Sequence, residues 1–121
     1  SDVYKRQALD DATNSVNGTS YGSRITGKYK MGGKTGTSQV RVISSKERED
    51  GIIKNKDLPW EMRDHGLFIG YGPIEKPTYS ISVIIEHGGS GSGSAAPIAS
   101  KIMKYIFKSK VNLKRKNLIN V

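Results

Sequence analysis

Cysteine is absent from these 121 residues, which excludes disulfides and thiolate metal sites and leaves the redox compartment open. No run comes near the ~20 apolar residues that span a bilayer, and no secretory signal opens the chain. No serine is followed by a lysine three positions later. A serine nucleophile activated by a lysine one helical turn away is therefore missing, because residues at that spacing share a helix face. Acidic residues are missing from residues 101–121, which hold seven basic ones. The whole chain has 20 basic and 11 acidic residues, a formal net charge of +9, so the two signs nearly balance outside that tail. A basic end suits anionic lipid or nucleic acid, and it equally suits a solvated terminus. Residues 109–121 are expected to be a basic flexible tail. What remains, 35% hydrophobic and 26% charged, is ordinary composition for one small domain.

The most informative stretch is residues 30–40, KMGGKTGTSQV. A Gly32-Gly33 pair precedes Lys34-Thr35-Gly36-Thr37, and a strand-like alternation follows. In an extended segment side chains alternate between faces, so Thr35 and Thr37 point one way and Lys34 the other. Gly36 leaves the strand bare where another molecule's backbone can approach. The expected product is an edge offering hydroxyls, a backbone N–H and an ammonium charge. That chemistry suits the carboxylate of an extended peptide.

Lys-Thr-Gly is the third motif of penicillin-binding proteins and class A β-lactamases, after Ser-x-x-Lys and a Ser-Asp-Asn type motif. Here Arg63-Asp64-His65-Gly66-Leu67-Phe68-Ile69-Gly70-Tyr71 and Glu86-His87-Gly88-Gly89-Ser90-Gly91 follow it in order. With these segments, residues 8–107 resemble the C-terminal end of the transpeptidase domain in the penicillin-binding protein 2 family, the rod-shape (class B) peptidoglycan D,D-transpeptidases. The resemblance implies an α/β (α+β) fold, the C-terminal part of the penicillin-binding protein and serine β-lactamase-like architecture, with an antiparallel sheet covered by helices. It implies that Lys34 holds a substrate carboxylate and tunes proton transfer. Thr35, Gly36 and Thr37 would bind the terminal D-alanine or β-lactam carboxylate, and the Thr37 N–H would form half of an oxyanion hole. The nucleophile, its base and the second motif would all lie upstream of this chain. Ser15-Val16-Asn17 matches Ser-x-Asn but stands too close to Lys34 and closes a helix.

No cofactor or metal is implied. The implied partners are a peptidoglycan stem peptide, β-lactam antibiotics, the upstream part of the same protein and elongation-complex membrane proteins; nucleic acid is not expected. The parent would work at the periplasmic face of the bacterial inner membrane, anchored by an upstream segment, and the isolated chain would be inactive. Two rivals stay open. A serine β-lactamase or β-lactam sensor domain shares the Lys-Thr-Gly strand, and a small basic nucleic-acid or membrane-surface binding module belongs to another class.

Residues 1–7 lie outside the resemblance and read as a non-native leader, so the transpeptidase part is expected over residues 8–108. Leu9, Ala12 and Val16 recur at helical spacing, and Asn17-Gly18 stops them. The charged insertion at residues 41–63 carries Trp60, expected either to pack it down or to face substrate. Strands are expected near 31–40, 66–72 and 78–86, the last two forming a hairpin across Gly72-Pro73. A final helix over residues 94–108, capped by Ser94, would cover the sheet with Ala95, Ile98, Ile102, Tyr105 and Ile106. The glycine run at residues 88–93 fails the Gly-x-Gly-x-x-Gly spacing and reads as a tight connection packing on the Lys34 strand. Gly33-Lys34-Thr35 lacks the glycine at position 28 that a P-loop needs. His65 and His87 read as structural, because their acidic neighbours Asp64 and Glu86 face the opposite way on a strand.

Overall fold

The alternating segments become a three-stranded antiparallel sheet in this computed structural model, which describes residues 1–119. β1 (Gly32–Ser38), β2 (His65–Gly72) and β3 (Tyr79–Ile85) lie side by side in that order, so β1 and β3 are the two edges. Helices α1 (Asp2–Asn14) and α3 (Ala96–Ile119) complete an α+β architecture, with the short α2 (Ser45–Asp50) in the insertion. Along β2, Gly66, Phe68, Gly70 and Gly72 are buried while the residues between them are less so. That alternation is the period of a strand covered on one face.

The covering helix is α3, and the expected stripe is corrected in part: Ala95 is buried and Ile106 packs against the core as expected, but the other three positions do not face the sheet. Ala96, Ala99, Ser100, Met103 and Phe107 are its buried residues, whereas Ile98, Ile102 and Tyr105 stand 40%, 43% and 74% exposed. The reason is close approach. A Cβ added at Gly72 would lie 2.5 Å from Phe107 Cζ and 3.1 Å from Met103 Cε, so the helix meets a glycine-rich sheet face. Alanines fit there and β-branched side chains do not. Met31, Ile25 and Phe68 close the same core.

The start of α3 also differs from expectation. A single π turn, Gly91–Ala95, precedes it, and Ser90 rather than Ser94 caps that turn by accepting the Gly93 N–H at 3.1 Å. Glycines permit this wider turn, which lets Ser94 Oγ donate to Ser90 O at 2.5 Å. At the other end the helix runs to Ile119. Residues 109–119, expected as a basic flexible tail, continue this helix, and Asn120 and Val121 lie outside the described residues.

Residues 2–7, set aside as a leader, form the first turns of α1. Tyr71 Oη donates to Arg6 O at 2.9 Å, tying those turns to β2. The helix stops at Asn14, one turn before the expected Asn17-Gly18, and Val16 is exposed beyond it. Thr13 explains the difference. It is fully buried, its Oγ1 donates to Gly33 O at 3.1 Å and lies 3.0 Å from Ser20 Oγ, and Ser20 N–H and Oγ both donate to Ala12 O. Hydroxyls supply the capping contacts that an apolar repeat cannot reveal.

Candidate functional site

The register sets which side chains of β1 share a face. Thr37 pairs with Gly66, Thr35 with Phe68 and Gly33 with Gly70, while Gly36 pairs with Leu67 and Lys34 with Ile69. Directly opposed residues lie on one face, so both threonines stand on the Phe68 side and Lys34 with Gly36 on the other. Neither threonine turns its hydroxyl into the core. Thr35 is half-buried and its Oγ1 donates to Thr19 Oγ1 at 3.1 Å, while Thr37 is exposed. Lys34 is exposed, and its Nζ donates to Thr35 O at 2.9 Å.

The backbone of β1 has one paired side and one open side. Thr13 and Asn14 of α1 donate to Gly33 O and Met31 O, and Lys34 Nζ reaches Thr35 O, so these carbonyls point away from β2. In a strand the N–H and C=O of one residue point the same way and alternate with those of its neighbours. The Thr37 N–H therefore faces the open edge. α1 bonds that edge only as far as Gly33; from Thr35 onward no strand or helix among the described residues pairs with it, and only Lys34 Nζ reaches the Thr35 carbonyl. Over Gly36 an added Cβ would meet only Leu67 Cβ, at an ordinary 3.5 Å. Behind the strand there is no such room: a Cβ at Gly91 would lie 2.5 Å from Gly36 O and 2.3 Å from Leu67 O. The glycine run thus packs on the Lys34 strand.

At the far end of this edge Ser38 pairs with His65, where the insertion is fastened. Asn55 Oδ1 accepts the Asp64 N–H at 2.9 Å, and its Nδ2 donates to Asp64 Oδ2 at 3.2 Å and to Gly89 O at 3.3 Å. Val40 N–H adds a bond to Asp64 Oδ1 at 3.3 Å. One asparagine so joins the insertion, the start of β2 and the loop after β3. The His87 N–H donates to His65 Nδ1 at 2.9 Å, and His87 Nδ1 lies 2.9 Å from Arg63 O. A carbonyl can only accept, so the His87 proton is on Nδ1, and a neutral His65 carries its own on Nε2. His87 holds φ at 53°, a left-handed conformation uncommon for a non-glycine. Trp60, 54% exposed, sets its ring centroid 4.4 Å from that of His87 at an interplanar angle of 55°, so it packs the insertion down while keeping half its surface free. Among the described residues no group of three or more His, Asp or Glu side chains is placed to hold a metal ion.

The insertion has its own clasp. Arg41 Nη1 and Nη2 donate to Glu47 Oε2 and Oε1 at 2.7 and 2.6 Å. This fork, followed by the Ile53 N–H, pulls the Glu47 carboxyl down to about 2. Thr19 and Asn55 escape a sequence reading, since a lone polar residue in a loop carries no pattern; a hydrogen-bond partner distant in sequence is their only signature.

Residues 5–104 match the family described as the penicillin binding protein transpeptidase domain. The chain is 38% identical over 102 residues to the peptidoglycan D,D-transpeptidase MrdA of Salmonella typhimurium, covering 84% of this chain and 16% of that protein. It is 40% identical over 104 residues to MrdA of Acinetobacter baumannii, covering 85% and 14%. Among solved structures it is similar to penicillin-binding protein 2 of Helicobacter pylori, determined in complex with MreC, with a TM-score of 0.66 and 26% identity over 86% of this chain and 16% of that one. It is also similar to penicillin-binding protein 2 of Pseudomonas aeruginosa in complex with WCK 5153, with a TM-score of 0.57 and 29% identity over 81% and 17%. The chain thus spans 14–16% of the length of these curated relatives. The order of its motifs, its antiparallel sheet and the family match over residues 5–104 agree, and the chain belongs to the penicillin-binding protein transpeptidase domain family.

Proposed function

We propose that this chain supplies the carboxylate-binding edge of a peptidoglycan D,D-transpeptidase, in the manner of penicillin-binding protein 2. The observation that carries the reading is the strand edge from Thr35 to Thr37, which no strand or helix among the described residues pairs with, with Lys34 exposed beside it and open space over Gly36. An extended stem peptide lies along such an edge by adding main-chain hydrogen bonds. Its terminal D-alanine carboxylate takes the Lys34 ammonium and the Thr35 and Thr37 hydroxyls, and a β-lactam carboxylate takes the same groups. The Lys34 bond to Thr35 O is exposed and is worth only about 1 kcal/mol, so substrate displaces it readily.

The Thr37 N–H then polarises the scissile carbonyl. A serine from the upstream part of the protein adds to that carbonyl, its proton passes through a neighbouring base to the departing nitrogen, and D-alanine leaves. The amine of a second stem peptide attacks the resulting ester, restoring the serine and closing the cross-link. Lys34 is positioned to hold charge through both steps, and no cofactor enters. The parent acts at the periplasmic face of the inner membrane, among elongation proteins such as the MreC bound by the Helicobacter relative.

Fluorescent penicillin tests this reading. The 121-residue chain alone should remain unlabelled, since no serine in it has its lysine partner. The full-length protein should be labelled, and Lys34→Ala in it should slow acylation by about 10²–10³-fold, the usual effect of removing a positioned charge-stabilising donor. Labelling of the chain alone, or a Lys34→Ala protein acylated at the normal rate, would reject the assignment.

A further inference from the structure

Past Phe107 the sheet-facing side of α3 changes character. Met103, Phe107, Lys110 and Lys114 follow one another at four- and three-residue spacing, so the two lysines continue the buried stripe rather than the outer face. There the helix has outrun the sheet. Lys110 and Lys114 border a cavity of about 530 Å³ together with Lys28, Lys30 and Lys76, a volume in the range of small-ligand sites. Lys110 Nζ is 3.4 Å from Thr78 Oγ1 and 5.7 Å from the Tyr79 ring, and Lys28 Nζ is 5.6 Å from the Tyr29 ring. All three of these contacts are with neutral groups, so neither lysine spends its charge on a carboxylate in them.

Charge decides the ligand. Against the five lysines stand only Asp10 and Glu75, a formal excess of three positive charges, and Asp10 already accepts a 2.8 Å bond from Asn14 Nδ2. One carboxylate cannot neutralise that excess, whereas pyrophosphate or a pair of phosphates can. The cation type agrees, because lysine serves phosphate as a point charge, while arginine, whose planar fork suits carboxylates, is missing from the wall. The cavity is also separate from the Lys34 edge. Its residues precede β1 and follow β2, while Thr37 pairs with Gly66 at the opposite end of both strands, roughly 20 Å away at the rise of a strand.

We propose that this basin is a second binding site, for a multiply charged phosphate group carried by a lipid headgroup or by a free phosphate compound. The site stands on its own lysines and is independent of the transpeptidase reading. Calorimetric titration of inorganic pyrophosphate into the protein at low salt should show binding that weakens as salt rises. Lys110→Glu combined with Lys114→Glu should weaken it by about tenfold or more. Lys28→Glu combined with Lys76→Glu, which leaves α3 untouched, should do the same. The pair Lys46→Glu and Lys54→Glu, on the insertion, serves as the control and should change it by less than about twofold. Flotation with phosphatidylglycerol against phosphatidylcholine vesicles then separates the sources. Lysine-dependent flotation supports the headgroup, and pyrophosphate binding without flotation supports a free compound. Absence of both, or pyrophosphate binding that ignores both basin variants, overturns the site.

Discussion

Gly91 rests so close to Gly36 and Leu67 that a methyl group there would sit 2.3 Å from Leu67 O and 2.5 Å from Gly36 O. Both contacts are backbone atoms, which cannot step aside as a side-chain tip can. Gly91→Ala should therefore destabilise the assembled domain by about 1–3 kcal/mol, read as a lowered thermal midpoint of the full-length protein. Alanine at Gly51, where nothing lies within 4 Å but φ is +109°, isolates conformational strain without a clash and should cost about 1–3 kcal/mol by backbone strain alone. The Arg41 and Glu47 clasp gives a prediction in pH. Because the folded carboxyl titrates near 2 rather than 4.5, its contribution is present above the ordinary carboxylate value and is lost as pH falls through about 2. Ile53 N–H donates to Glu47 Oε1 at 3.1 Å, so hydrogen exchange at Ile53 should lose protection over that window. Glu47→Gln should leave Ile53 exchange without this pH dependence, and unchanged protection in the wild type down to pH 2 would contradict the clasp.

Strands were legible because their signal is local. Alternation in Leu67 to Tyr71 and in Tyr79 to Ile85, with turn residues between, is enough to give the hairpin observed as β2 and β3. Helices were less so. α3 has apolar residues on two sides, and nothing in its own sequence says that the side with Ala99, Met103 and Phe107 meets the sheet; that follows from glycines at Gly66 and Gly72, far away in the chain. The end of α1 was missed for a related reason, since buried Thr13 looks polar in any hydrophobicity pattern. At the site, Lys34 to Thr37 stand out in sequence because motif residues are contiguous, whereas Thr19 and Asn55 act through partners 16 and 9 residues off. The exposed edge of β3 is the element most open to association. Ile84 is 62% exposed on it, and an unpaired strand with a bare isoleucine templates pairing with another chain. Ile84→Lys should lower light scattering of the concentrated chain while leaving its far-ultraviolet dichroism unchanged.

On the scale of the whole molecule, three strands and two long helices leave much apolar surface uncovered. Ile98, Ile102 and Tyr105 on α3 face water, as does the β3 edge, and a domain this small is marginal even when its core is closed. Heating the isolated chain should give a broad transition that depends on concentration. The full-length protein should unfold this region sharply, and a sharp reversible transition of the monomeric chain would refute the expectation. Within this loosely closed body the insertion is mounted differently from everything else. It is clasped on itself by Arg41 and Glu47 and fastened to the frame at a few points, by Asn55 to Asp64 and Gly89 and by the Trp60 ring on His87. Such an attachment makes it a cartridge: shortening the stretch between Arg48 and Lys54 in this chain should leave the β1 to β2 register intact, and unchanged hydrogen-exchange protection of the β2 amides in the shortened protein is the outcome that checks it.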